Sequence, residues 1–185
     1  MKQTIMLLAF VASLVFLSSC QDKINDKEIA DEKNEEKFEN KDDRKDADFV
    51  VDAIANSHDE VRLADDAIKK ATSTDVKNLA TQIKEEHSVL ENELRSMANT
   101  RSITVPDSSA SNMYKTLEDL SDEKGIDYDK KWLKEMEDMH EKCVRKYDDA
   151  AKNSSDSTVK AWAGNTLVKI RGHLDVIKST RDKIK

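Results

Sequence analysis

The chain has 185 residues, of which 37% are charged and 37% hydrophobic, and it carries a formal net charge of −7. That acidic balance excludes the basic surface a nucleic-acid binder needs, and equally any charge-driven adsorption to anionic lipid. Three glycines, one proline and the lack of alternating apolar residues exclude a β-rich fold and point to an all-α chain.

Residues 1–19 read as a signal peptide. Lys2 precedes an apolar run over residues 5–17, too short to span a bilayer comfortably. The run ends in Leu17-Ser18-Ser19-Cys20, which resembles a bacterial lipobox: an aliphatic residue, two small ones, then the cysteine that becomes residue one after cleavage. Acyl chains on Cys20 would hold the protein at a membrane, each buried methylene contributing ~0.8 kcal/mol. The expected compartment is the cell envelope, and Gln21 after the lipidated cysteine favours the outer membrane, on its periplasmic or surface face. Cleavage removes Lys2, so the mature chain is one unit more negative than the −7 of the whole. With Cys20 lipidated, Cys143 has no disulfide partner and reads as a small buried hydrophobe.

Residues 20–48 read as a lipid-anchored charged tether. From Gln21 onward they hold twelve Asp or Glu against seven Lys or Arg, and only Ile24, Ile29, Ala30, Phe38 and Ala47 are apolar. Such a segment cannot bury a core of its own and is expected to be mobile or a transient helix.

Residues 49–185 read as one domain of ordinary size. Helix one is expected over 49–72, with Val50, Ile54, Ser57, Val61, Ala64, Ile68 and Ala71 facing inward. Thr74 is expected to cap helix two, which shows Val76, Ala80, Ile83, His87, Leu90, Leu94 and Met97 and ends near Thr100. A long connection follows, broken by Pro106 and Gly125, with a short helix marked by Met113, Leu117 and Leu120. Helix three, over about 127–153, carries Leu133, Met136, His140, Cys143, Tyr147 and Ala150 inward. Helix four starts after residues 154–157 and carries Val159, Ala163, Thr166, Ile170, His173 and Ile177. Two hairpins joined by one long crossover predict a four-helix bundle of ferritin-like topology, with the short helix in the crossover. An up-down-up-down bundle with a decorated loop is the competing arrangement.

Three of the four histidines thus fall on apolar stripes near the middles of three different helices, where imidazole is costly unless its nitrogens have partners. Counting from the turns at about 1.5 Å per residue, Glu60, His87, His140 and His173 reach similar depth. Glu60 flanks its stripe; Glu91 and Glu137 flank theirs and would support the ligands from outside or serve a second ion. His58 is expected in solvent. Three readings fit: Glu60, His87, His140 and His173 holding one transition metal (Zn, Fe, Mn or Cu); two histidines ligating haem, the least favoured; or a buried polar network that fixes helix register.

The chain also resembles a bacterial family of secreted or lipid-anchored, ferritin-like proteins carrying domain of unknown function 4142, over roughly residues 48–177. The likeness rests on Phe49-Val50 and Glu60-Val61-Arg62-Leu63, on Val76-Lys77-Asn78-Leu79-Ala80 leading to Glu86-His87, and on Arg101-Ser102-Ile103-Thr104-Val105-Pro106. It continues through Tyr128, Trp132-Leu133, Met139-His140, Thr166-Leu167 and His173-Leu174. The resemblance implies a helical bundle outside the cytoplasm, selects the same Glu60, His87, His140 and His173, and implies no established activity. Met139 stands where the family tends to have an acid, Ala64 where it tends to have glycine, and Val168 where it tends to have proline. Glu137-x-x-His140 matches one unit of a diiron site, but Lys84 and Ile170 stand where the remaining motif needs acids.

These features predict a lipid-anchored envelope protein binding one metal ion. A non-enzymatic scaffold, whose histidines form a structural hydrogen-bond network and whose acidic surface meets a protein partner, is the alternative. Nothing in the sequence resembles a nucleophile elbow, a phosphate loop or an activated cysteine, so an enzyme is the weakest reading.

Overall fold

The computed structural model describes residues 26–107 and 111–184; the expected signal peptide and Cys20 lie outside them. The described residues form six helices and no strand: α1 (Asp26–Lys37), α2 (Lys41–Lys70), α3 (Thr74–Arg101), α4 (Ser111–Ser121), α5 (Ile126–Asn153) and α6 (Ser157–Lys183). None of these helices is long and apolar enough to cross a membrane.

Local chemistry sets the helix ends. Asn40 caps α2 by accepting from the Asp42 N–H at 2.7 Å, and Asp42 and Asp43 in the first turn with Lys69 and Lys70 in the last complement the helix dipole. Thr74 is not the cap of α3. Ser73 holds that position without a side-chain bond, because Asp129, buried on α5, takes the Thr72 and Ser73 N–H groups at 2.9 and 2.7 Å. A carboxylate from another helix fixes the turn itself. The α3 terminus turns through Ser102 at φ 56°, and α5 starts after Gly125 at φ 60°, a conformation that favours glycine. Asp156 caps α6 and receives a two-pronged bond from Arg101 at 2.7 and 2.8 Å.

Side-chain pairs fix helix direction. Asp65 with Lys84 and Glu60 with His87 run α2 against α3; Glu141 with Lys178 and Asp148 with Arg171 run α5 against α6. Asp66 with Tyr128 and Asp52 with Lys146 run α2 against α5, while Glu86 with His173 and Glu93 with Trp162 run α3 against α6. Consequently α2 and α6 point one way and α3 and α5 the other. The closest packing is within the α2–α3 and α5–α6 pairs; α3 and α6 touch least of the four neighbouring long pairs.

The segment expected to be a tether is helical from Asp26, and α2 begins at Lys41 rather than at 49. The count of apolar residues correctly denies this stretch a core of its own, but docking needs only one line of side chains. Ala30 and Asn34, one turn apart on α1, are buried. Asn34 donates to the Thr104 carbonyl and accepts from the Thr104 N–H, both at 2.8 Å. Lys27 reaches Asp52 on α2 at 3.0 Å.

The interior is two apolar clusters stacked end to end. One gathers Val50, Ile54, Leu90, Leu94, Tyr147 and Ile170; the other gathers Leu63, Ile83, Trp132, Leu133, Met136 and Ile177. Between them, at mid-height on all four long helices, lies a polar layer.

Candidate metal centre

That layer consists of Glu60, His87, His140 and His173, which are only 1, 1, 0 and 3% exposed. The stripes expected on α3, α5 and α6 deliver all three histidines inward. On α2 the interior line differs from expectation: Ala53, Ser57, Glu60, Ala64, Ala67 and Ala71 are buried, whereas Val61 and Ile68 are half-buried. Glu60 therefore stands on the core line itself, with small side chains on either side leaving room for three imidazoles.

The three rings form a triangle, with centroids 5.4, 5.2 and 5.6 Å apart. One ligating nitrogen from each of His87, His140 and His173 falls within 4.8 Å of the others, so the three can hold a metal ion. His87 Nε2 and His173 Nδ1 are 3.2 Å apart. Two nitrogens on one tetrahedral ion, each about 2.0–2.1 Å from it, lie roughly 3.3 Å apart. Trans haem ligands would lie about 4 Å apart at such bond lengths, so the pair does not fit haem.

Each ring is held from behind by an oxygen. His140 Nδ1 donates to the Met136 carbonyl at 2.9 Å, which puts the proton on Nδ1 and leaves Nε2 a lone pair. That Nε2 is buried and has no hydrogen-bond partner among the described residues. His173 Nε2 lies 3.0 Å from Glu86 Oε2. His87 Nδ1 lies 2.6 Å from Glu60 Oε2, an ion-pair contact too far off axis to be a well-aligned hydrogen bond. Oxygens on the outer nitrogens orient imidazoles and raise their basicity toward a metal.

Glu60 is placed differently from the expectation of a fourth ligand. It falls outside the mutually close donor set and instead touches Nδ1 of both His87 and His140, at 2.6 and 3.4 Å. Burial opposes its ionisation most strongly, yet the His87 and His140 imidazoles outweigh burial and hold the carboxyl below its usual range. Burial is also the main force lowering the His140 and His173 pKa values, the former to about 4. Both rings therefore favour the neutral form that a metal requires.

The outer roles expected of Glu91 and Glu137 are not built. Glu91 pairs with Arg95 at 2.8 Å, and Glu137 pairs with Arg181 and faces Lys178 at 3.9 Å; cations on their own or neighbouring helices engage both. Glu86 takes the part instead. Its signal was the Glu86-His87 dipeptide, but it serves the histidine of the facing helix, which periodicity along one helix cannot reveal. His58 is half-buried rather than solvated, 3.6 Å from Glu91. Cys143 is buried and donates to Glu60 at 3.8 Å, and its burial, chiefly, pushes the thiol pKa well up. Cys143 falls outside the mutually close donor set.

The result is an all-helical protein with a buried trihistidine layer backed by carboxylates. Residues 31–180 match the family described as a domain of unknown function, DUF4142, and the chain belongs to that family. No curated protein and no solved structure matches it.

Proposed function

We propose that this is a lipid-anchored protein of the cell envelope whose ferritin-like four-helix bundle binds one transition-metal ion on His87, His140 and His173. Glu60 and Glu86 are the carboxylates behind the ligands. The up-down-down-up course of α2, α3, α5 and α6, with α4 in the single long connection, supports the ferritin-like reading. Cys20, in its lipobox-like setting, would carry the anchor and place the domain at the outer membrane. The role we assign is metal handling in the envelope, without a catalysed reaction.

One observation carries the metal reading: the buried, unpartnered His140 Nε2 within a triangle of imidazoles, each with an oxygen against its outer nitrogen. Three imidazoles without a directly ligating carboxylate favour Zn, Cu or Fe over the harder Mn. The test is elemental analysis of tag-free protein after loading with each metal and exhaustive dialysis. One ion per chain is expected, with a rise in melting temperature that disappears in His140→Ala. No retained metal under any loading would end the reading.

A second reading, the structural network of a scaffold protein, draws on the contacts that Glu60, Glu86 and the Met136 carbonyl make with the three rings. It expects a high melting temperature that no metal raises.

A further inference from the structure

The proposed site is closed to solvent, so an ion must cross a wall to reach it, and the four walls differ. The α2–α3 and α5–α6 seams are the most tightly packed. In the α2–α5 seam the Trp132 indole N–H donates to the Leu63 carbonyl at 2.9 Å, α4 packs over both helices, and the cleft of about 250 Å³ between them sets the cations Lys27, Lys142 and Lys146 beside Asp59 and Glu135. The α3–α6 seam is the least closely packed of the four.

At mid-height on that seam one side chain separates His173 from water. Glu86 is 36% exposed at its side chain and touches the buried ring at 3.0 Å. Its other oxygen accepts from Gln82 Nε2 at 2.9 Å. Gln82 in turn lines an open groove of about 240 Å³ between the two helices, with Asp75 and Asn78 on the α3 wall and Thr180 and Lys183 on the α6 wall. Groove, Gln82, Glu86 and His173 form a continuous polar line from the surface to the trihistidine layer.

We infer that the α3–α6 seam is the entry port for a divalent cation and that Glu86 is its receiving carboxylate. The inference rests on the metal reading above. A hydrated cation meets the oxygens of the groove, exchanges water for the Glu86 carboxylate, and passes inward as that side chain swings away from His173. Glu86 then returns to hold the ring from outside. It is a positioning residue with two separable duties, charge at the port and a hydrogen bond to His173.

Two substitutions separate those duties. Glu86→Gln keeps an oxygen that accepts from His173 but removes the charge; Glu86→Asp keeps the charge but falls short of the ring. Rapid-mixing measurements with cobalt(II) on the full-length chain, followed by its visible absorption, read the association and dissociation rates. A charged port predicts association slowed about tenfold or more in Glu86→Gln, at the low end of electrostatic focusing, and near wild type in Glu86→Asp. Glu85→Gln on the exposed face of α3, and Glu135→Gln in the α2–α5 cleft, should leave association within twofold. Association unchanged in Glu86→Gln, or slowed equally by Glu135→Gln, overturns the port while leaving the site intact. Wild-type protein that takes up no cobalt, zinc or copper overturns both.

Discussion

His87 and His173 meet nitrogen to nitrogen at 3.2 Å, each with its far nitrogen against a carboxylate, Glu60 or Glu86. If both far nitrogens carry protons, two lone pairs face one another in the interior, and only a proton or a cation between them relieves the repulsion. A ranking follows for metal affinity. Removing a ligand, in His173→Ala or His140→Ala, should cost more than the roughly 10–100-fold typical of losing an outer partner. Glu60→Gln should fall within that range of about 10–100-fold. Competition titration against a chelator of known affinity gives the order. Glu60→Gln proving as damaging as the histidine variants would make Glu60 a direct ligand after all.

The contact between His87 and Glu60 sets a stability test. Read from sequence, His87→Leu in a structural network should be tolerated, since apolar replacements of buried polar groups often are. The 2.6 Å contact with Glu60 changes that expectation. Leucine strands a fully buried carboxylate, and breaking a buried pair from one side costs about 3–5 kcal/mol. Urea denaturation should show a loss of that order for metal-free His87→Leu, and recovery of most of it in the double variant Glu60→Leu/His87→Leu. A single variant as stable as wild type would mean that Glu60 is not ionised in the fold.

The sequence made the layer legible because depth on a helix is arithmetic. A constant rise per residue puts His87, His140 and His173 level without knowledge of their neighbours, and the apolar stripes of α3, α5 and α6 face them inward. What stayed hidden depends on relations between helices. Glu60 was placed beside its stripe because Val61 and Ile68 are the larger apolar residues, yet the alanines of α2 give the close approach that the imidazoles need. Glu86 and Asp129 act on other helices, so spacing along their own could not show them. α1 was hidden for another reason: composition tests whether a segment can bury itself, and α1 docks on a surface that the rest of the chain supplies.

That docking depends on Asn34. Its amide satisfies both backbone groups of Thr104, in the connection after α3, with two 2.8 Å bonds. Alanine there removes the partner of a donor and an acceptor, a cost of about 1–3 kcal/mol. Because α1 contributes little else to the core, the effect should be local. Hydrogen exchange of Asn34→Ala should show lost protection in α1 and around Thr104, with the α5–α6 pair unchanged. Loss of protection throughout the chain would show that α1 is part of the folding unit rather than a strap on it.

Asp129 provides a second local test. Its carboxylate is the acceptor for the Thr72 and Ser73 N–H groups at the α2–α3 turn. Asp129→Ala should cost roughly 0.5–2 kcal/mol, the range for losing a helix cap, and Asp129→Asn, which keeps one acceptor oxygen, should cost less. Thermal unfolding measures both. Equal losses would assign the effect to packing around Tyr128 and Trp132 instead of to the turn.

Asp52 sits between Lys27 of α1, at 3.0 Å, and Lys146 of α5. Burial pushes its pKa up, but the hydrogen bonds from Lys146 and Lys27 outweigh burial and hold it below the ordinary 3.8. For a carboxyl depressed in this way the unfolded chain takes up the proton first. Its contribution is therefore present above pH 3.8 and is lost as pH falls below that value. Asp48, one turn earlier, shifts the opposite way, raised by burial and then by Asp31 and Asp52, so its protonation partly offsets the loss in the whole protein. Comparing wild type with Asp52→Asn isolates the Asp52 share. The wild-type advantage in urea midpoint should be constant between about pH 5 and 7, by the order-of-magnitude logic of linkage, and should shrink steadily below about pH 4. A gap that persists unchanged to about pH 2.5 would show that Asp52 acts through packing and not through its charge.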